Sequence, residues 1–103
     1  MKDYDLILPI KKKWFDMILS GEKKEEYREN KYYWIKRLEK IIFHNKSCVM
    51  NIKFVNGYGK DRPYFIARCK VSFGFGQKEW GADPNKEYLV FKIIEVAEWK
   101  KHI

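Results

Sequence analysis

Trp14-Phe15-Asp16-Met17-Ile18-Leu19-Ser20-Gly21-Glu22-Lys23-Lys24-Glu25-Glu26-Tyr27-Arg28 changes period halfway along. Trp14, Phe15, Ile18 and Leu19 recur at i, i+1, i+4 and i+5, the apolar face of a helix. Lys11, Lys12, Lys13 and Asp16 fall on the opposite face. Ser20-Gly21 closes this helix, because glycine suits the left-handed residue that follows a last turn. Glu25 to Arg28 then reads as a short strand. The junction carries three ionisable groups of both signs in the spacing Gly21-x-Lys23-x-x-Glu26-x-Arg28.

Working outward, Asp5 to Pro9 reads as a buried strand that stops at its proline. A second helix fits around Tyr32 to Lys40, where Trp34, Ile35, Leu38, Ile41 and Ile42 recur at helical spacing. The stretch Ile41 to Phe43 is compatible with helix or strand. Tyr32, Tyr33 and Trp34 are able to stack bases, yet at helical spacing at least two of them are expected in the core. Val49 to Val55 alternates as a strand and is broken by the turn Asn56-Gly57-Tyr58-Gly59. Pro63 to Phe73 is a long aromatic strand ended by Gly74-Phe75-Gly76. Gln77 to Lys86 reads as an ordered loop, and Glu87 to Val96 as the last strand. Short strands with two early helices imply an α+β fold whose strands curl into a small barrel.

The 103 residues make one domain, and 46% hydrophobic with 17% aromatic content is enough to fold. A net charge of +8 favours a polyanionic partner such as a nucleic acid or nucleotide. Cys48 and Cys69 lie far apart, and with His44 and His102 they do not make the clustered ligand set of a structural zinc site. No cofactor or metal is expected. Met1-Lys2-Asp3-Tyr4-Asp5 is charged and the apolar run Leu6-Ile7-Leu8 is short, so no leader is read and a reducing cytoplasm is expected. No stretch approaches the ~18 apolar residues of a membrane span.

In an extended strand Glu26 and Arg28 share one face, while Glu25 and Tyr27 point the other way. Lys23 belongs to the turn after Gly21 and can fold toward the same cavity. Such a trio can bind a polar planar ligand, and its members can perturb one another's pKa values. The plain alternative is an ion pair on a solvated surface, contributing about 0–1 kcal/mol. Glu79-Trp80 offers a second candidate: the ring stacks on a base beside a hydrogen-bonding acid, or Trp80 caps the barrel and Glu79 is exposed. Lys11, Lys12 and Lys13 read as a solvated helix face that extends, with Lys31, Lys36, Arg37 and Lys40, into a basic surface for phosphates.

The signature spacing resembles that of ASCH domains, a branch of the PUA-like superfamily, which carry G-x-K-x-x-E-x-R between their first helix and second strand. All four named positions match. The turn Phe54 to Gly59 and the segment Glu79-Trp80-Gly81-Ala82 also resemble parts of small bacterial and phage members. The resemblance covers nearly the whole chain and implies a PUA-like mixed β-barrel flanked by two or three helices. It implies binding of RNA or a modified nucleoside in a cleft of Lys23, Glu26, Arg28, Glu79 and Trp80. Some small members are amidohydrolases acting on acetylcytidine and some have been described as ribonucleases, so the alternative is a hydrolase of a nucleoside amide or an RNA phosphodiester. Lys23 matches the catalytic lysine of the amidohydrolases, and Glu79 stands for their later-loop glutamate. Glu26 stands where they have a threonine. A carboxylate cannot replace that hydroxyl as a nucleophile, although it can act as a general base on water.

Overall fold

Leu6, Leu8 and Ile10 are buried while Ile7 is exposed and Pro9 half-buried, the alternation of a strand with one face on the core. The computed structural model describes residues 3–100. Along the chain it runs β1 (Leu6–Ile10), α1 (Lys12–Leu19), β2 (Glu25–Glu29), α2 (Tyr32–Asn45), β3 (Val49–Asn56), β4 (Tyr64–Phe75), a 3-10 turn (Lys78–Trp80) and β5 (Glu87–Lys100). All five strands join one sheet in the order β1-β3-β4-β5-β2. The β1–β3 pair is parallel and the other pairs are antiparallel. A parallel pair needs a long crossover, and α1, β2 and α2 make up that connection. The fold is α+β, with the sheet curled into a half-barrel and two α-helices. Register shifts in β4–β5 at Ile66/Ala67 and Arg68/Cys69 add local twist to the curl.

The concave face holds the core. Phe54, Phe65 and Phe91 have no exposed surface, and Phe15 of α1 packs on Phe65 with ring centroids 5.0 Å apart. From α2, Leu38 is buried, with Trp34, Ile41 and Ile42 packed beside it. Leu89 and Phe91 on the core face of β5 stand directly opposite Arg28 and Glu26 of β2. The register therefore turns both charged side chains inward.

Several boundaries differ from the sequence expectation. Pro9 does not stop β1, because β1 is an edge strand, where a missing N–H need cost no ladder bond. Gly74 stays inside β4 opposite Tyr88, and β5 continues past Val96 to Lys100. Ile41 to Phe43 is helical. Tyr32 and Tyr33 are 75% and 58% exposed, contrary to the expectation of two core rings among Tyr32, Tyr33 and Trp34. The apolar stripe of α2 runs Trp34, Leu38, Ile41 and Ile42, which leaves the two tyrosines beside the Lys36 and Arg37 side chains one turn on. His102 lies outside the described residues.

Gly76, at the start of the segment joining β4 to β5, marks a close approach. A Cβ there would meet Ala82 Cβ at 2.6 Å and the Tyr27 ring at 2.7 Å. Gly74 has its nearest neighbour, a Val90 methyl, at 3.7 Å. Gly76→Ala is thus expected to cost about 1–3 kcal/mol by overpacking, and Gly74→Ala to be neutral or slightly stabilising. Urea unfolding of the two variants tests this, and equal midpoints would show that the β4–β5 segment does not press on β2 as described.

Candidate functional site

The site begins with the way α1 ends. Gly21 takes φ +86°, and its N–H bonds the carbonyl of Ile18. The chain then turns back so that the Lys23 N–H donates to Met17 O at 2.9 Å. This fixes the root of the Lys23 side chain against the last turn of the helix. β2 follows at once, with the Ile93 N–H donating to Lys24 O at 2.9 Å to start the β5 ladder.

Lys23 is 1% exposed and Glu26 is 6% exposed. The ammonium donates to the Trp80 carbonyl at 2.8 Å and pairs with Glu26 Oε1 at 3.3 Å. It also lies 4.9 Å from the ring centroids of both Trp14 and Tyr27, an arrangement that stabilises a cation. From the turn ahead of β2, Lys23 reaches side chains of both faces of the strand, Glu26 inward and Tyr27 outward. The other carboxylate oxygen of Glu26 stands 3.4 Å from Arg28 Nη2, which donates to the Pro9 carbonyl at 2.7 Å. The Arg28 guanidinium lies 5.7 Å from the centre of a Trp34 ring. Its Nε is buried and bonds to nothing among the described residues.

Lys23, Glu26 and Arg28 thus converge in one enclosed cluster. Glu79 does not join them. It is exposed on the 3-10 turn, and the contact from that turn comes from the Trp80 backbone, with the indole half-buried. Of the rings around the cluster, Trp34 and Trp80 are candidates from the sequence, whereas for Trp14 and Tyr27 the spacing gives only the apolar face of α1 and the outward face of β2. A useful signal was available in Trp14 and Tyr27 themselves, two aromatics on the elements flanking Lys23.

The segment after β4 closes over this side of β2. The Tyr27 hydroxyl donates to Glu25 Oε1 at 2.8 Å and accepts from the Gln77 N–H at 2.9 Å. Burial raises the Tyr27 pKa, and the Gln77 amide works the other way. At its far end the segment is held by the exposed pair Lys86–Glu29 at 2.6 Å, which lowers the Glu29 pKa and raises that of Lys86.

Lys11, Lys12, Lys13, Lys31, Lys36, Arg37 and Lys40 are all exposed. Among the described residues no group of three His, Cys, Asp or Glu side chains is arranged to hold a metal ion, and no helix is long and apolar enough to cross a membrane. Cys48 and Cys69 are both free, and burial pushes the Cys69 thiol up to about 12. Compared with protein-family models, with curated proteins and with solved structures, the chain gives no significant match.

Burial pulls the Lys23 amine below the ordinary lysine value of 10.5, against the opposing pull of Glu26. The unfolded chain therefore holds this proton more tightly than the folded one. The penalty on the charged amine is fully present below the lowered value and is relieved as pH climbs toward 10.5. From Lys23, stability should thus rise with pH across that window. The difference in urea midpoint between the wild type and Lys23→Met should grow between neutral pH and 10.5. A constant difference would mean that the Lys23 pKa is not lowered.

Proposed function

We propose that this chain is an ASCH-type domain of PUA-like fold, and that it binds RNA or a modified nucleoside around Lys23, Glu26 and Arg28. The observation that carries this reading is the enclosed Lys23–Glu26–Arg28 cluster, in which the buried donor Arg28 Nε has no acceptor among the described residues. Burying ions costs several kcal/mol each, and an orphaned buried donor costs about 1–3 kcal/mol more. A base edge that displaces the side chains covering the cluster would answer both costs, with Glu26 accepting from an amino group and the Arg28 Nε–H donating to a carbonyl or phosphate oxygen. The net charge of +8 and the exposed cations of α1 and α2 supply a surface for the rest of a polyanion. Two free cysteines accord with a cytoplasmic protein.

A second reading, hydrolysis of a nucleoside amide, is favoured by the placement of Lys23 beside Glu26, an amine and a carboxylate held 3.3 Å apart in a buried setting. Glu26 would then serve as a base on water.

Titration against a panel of modified nucleosides and short single-stranded RNAs tests the binding reading. Glu26→Gln should weaken the cognate ligand at least tenfold while circular dichroism stays unchanged. Affinity for RNA should fall steeply with salt, and joint replacement of Lys12, Lys36 and Arg37 by Ala should flatten that slope. A ligand bound equally well by wild type, Glu26→Gln and Lys23→Ala would make the signature purely structural.

A further inference from the structure

The convex face of the sheet carries a second concavity, apart from the cluster just described. Ile52 and Phe54 of β3 face the core, so Lys53 and Val55 point outward. They pair with Ile7 and Pro9 of β1, and Val55 also pairs with Tyr64 of β4. The β3–β4 turn folds over this patch and makes a cavity of about 350 Å³. The turn is tied down at both ends. The Gly57 N–H donates to Ile10 O at 2.8 Å, and Arg62 Nε donates to Asn56 O at 2.8 Å.

The cavity has a two-part chemistry. Its floor is apolar, made of Ile7, Pro9 and Val55. Its walls bring in two cations, Lys53 and Arg62, and two phenol rings, Tyr58 and Tyr64. The Lys53 ammonium lies 4.2 Å from the Tyr64 ring centroid and 5.2 Å from that of Tyr4. Neither Lys53 nor Arg62 forms an ion pair among the described residues. Tyr58 is 82% exposed at the rim, on a turn whose glycines adopt φ +83° and +107°. Such a ring is neither core nor cap, and it presents a free face for stacking. The volume lies at the lower end of small-molecule sites, about 300–1,000 Å³.

We propose that this convex-face cavity is a separate binding site for a planar ring bearing a phosphate, that is, a nucleoside monophosphate or one nucleotide of a single strand. The ring stacks on Tyr58 above the apolar floor. The phosphate lies between Arg62 and Lys53, where a guanidinium and an ammonium complement it. Asp61, also on the cavity wall, is an acceptor for an amino group of the base. The site uses none of Lys23, Glu26 or Arg28, so it stands or falls independently of the function proposed above.

Amide chemical shifts of the 15N-labelled protein, followed during titration with AMP, GMP, CMP, UMP, inorganic phosphate and a short single-stranded oligonucleotide, decide the matter. Saturable shifts centred on Lys53 and on Gly57 to Arg62 are expected with at least one nucleotide or with the oligonucleotide. Response to mononucleotides identifies a free nucleotide as the source, and response to the oligonucleotide alone identifies a strand. Tyr58→Ala and Arg62→Ala should each weaken binding at least tenfold. Both residues are exposed, so unchanged dispersion elsewhere in the spectrum is expected and verifies the fold. Glu26→Gln should leave this binding intact. The proposal is overturned if no ligand shifts these amides, if inorganic phosphate shifts them as tightly as the nucleotides do, or if Tyr58→Ala binds like the wild type.

Discussion

Arg28 joins the two free edges of the sheet. β1 and β2 stand at opposite ends of the strand order, yet the guanidinium on β2 donates to the Pro9 carbonyl on β1 at 2.7 Å. One side chain thus spans the gap that an incompletely closed barrel leaves. An arginine suits this place because its long, permanently charged head can donate to a carbonyl while pairing with a carboxylate, and here Nη2 donates to Pro9 O and pairs with Glu26 Oε2. The remaining contacts form a chain from this link. Glu26 balances Arg28 and Lys23 together, Lys23 reaches the Trp80 carbonyl, and Trp80 fixes the segment between β4 and β5. The edges of the sheet, the end of α1 and the β4–β5 connection are therefore coupled through three charged residues.

Coupling of this kind makes the cluster costly to disturb piecemeal. Replacing a buried ion pair by fitted apolar side chains is often neutral or stabilising, whereas deleting one partner leaves an uncompensated charge and costs about 3–5 kcal/mol. Salt and solvent do little to relieve it, because Lys23 and Glu26 are nearly inaccessible. The contrast is the Lys86–Glu29 pair, which is shorter at 2.6 Å but exposed at the surface and so open to screening. Distance alone would rank that surface pair as the stronger. Burial reverses the order, and it places the energetically consequential electrostatics at the signature.

Much of this was legible in the chain. The switch from helical to strand period across Gly21, the shared face of Glu26 and Arg28, and the inward reach of Lys23 all follow from spacing and from the φ that glycine permits. What was not legible depended on sheet order. Sequence spacing does not tell that β1 and β2 are both edges, and only that fact keeps Pro9 inside a strand and gives Arg28 a carbonyl across the gap. The Trp80 carbonyl is hidden for a related reason: a backbone acceptor carries no residue-type signal, whereas the Glu79 carboxylate beside it does. Tyr32 and Tyr33 were misplaced because their spacing permitted a buried stripe. The stripe is instead taken by Trp34, Leu38, Ile41 and Ile42.

Pro9 also separates two surfaces of different character. Its carbonyl accepts from Arg28, while its ring lines the convex cavity beside Val55. Proline is tolerated here because it lacks only an N–H, which an edge strand need not pair. The concave side of this strand adjoins charges shielded from water and rings that hold them. The convex side offers an exposed arginine, a half-buried lysine and an exposed ring at the rim of a shallow hollow. Buried, mutually balanced charges favour discrimination among small differences in a ligand's hydrogen-bonding edge, because every unmatched group is left without water. Cations beside a stacking ring favour affinity that tolerates the identity of the base. Pro9 thus lies between two surfaces of opposite electrostatic character, one shielded from water and one open to it.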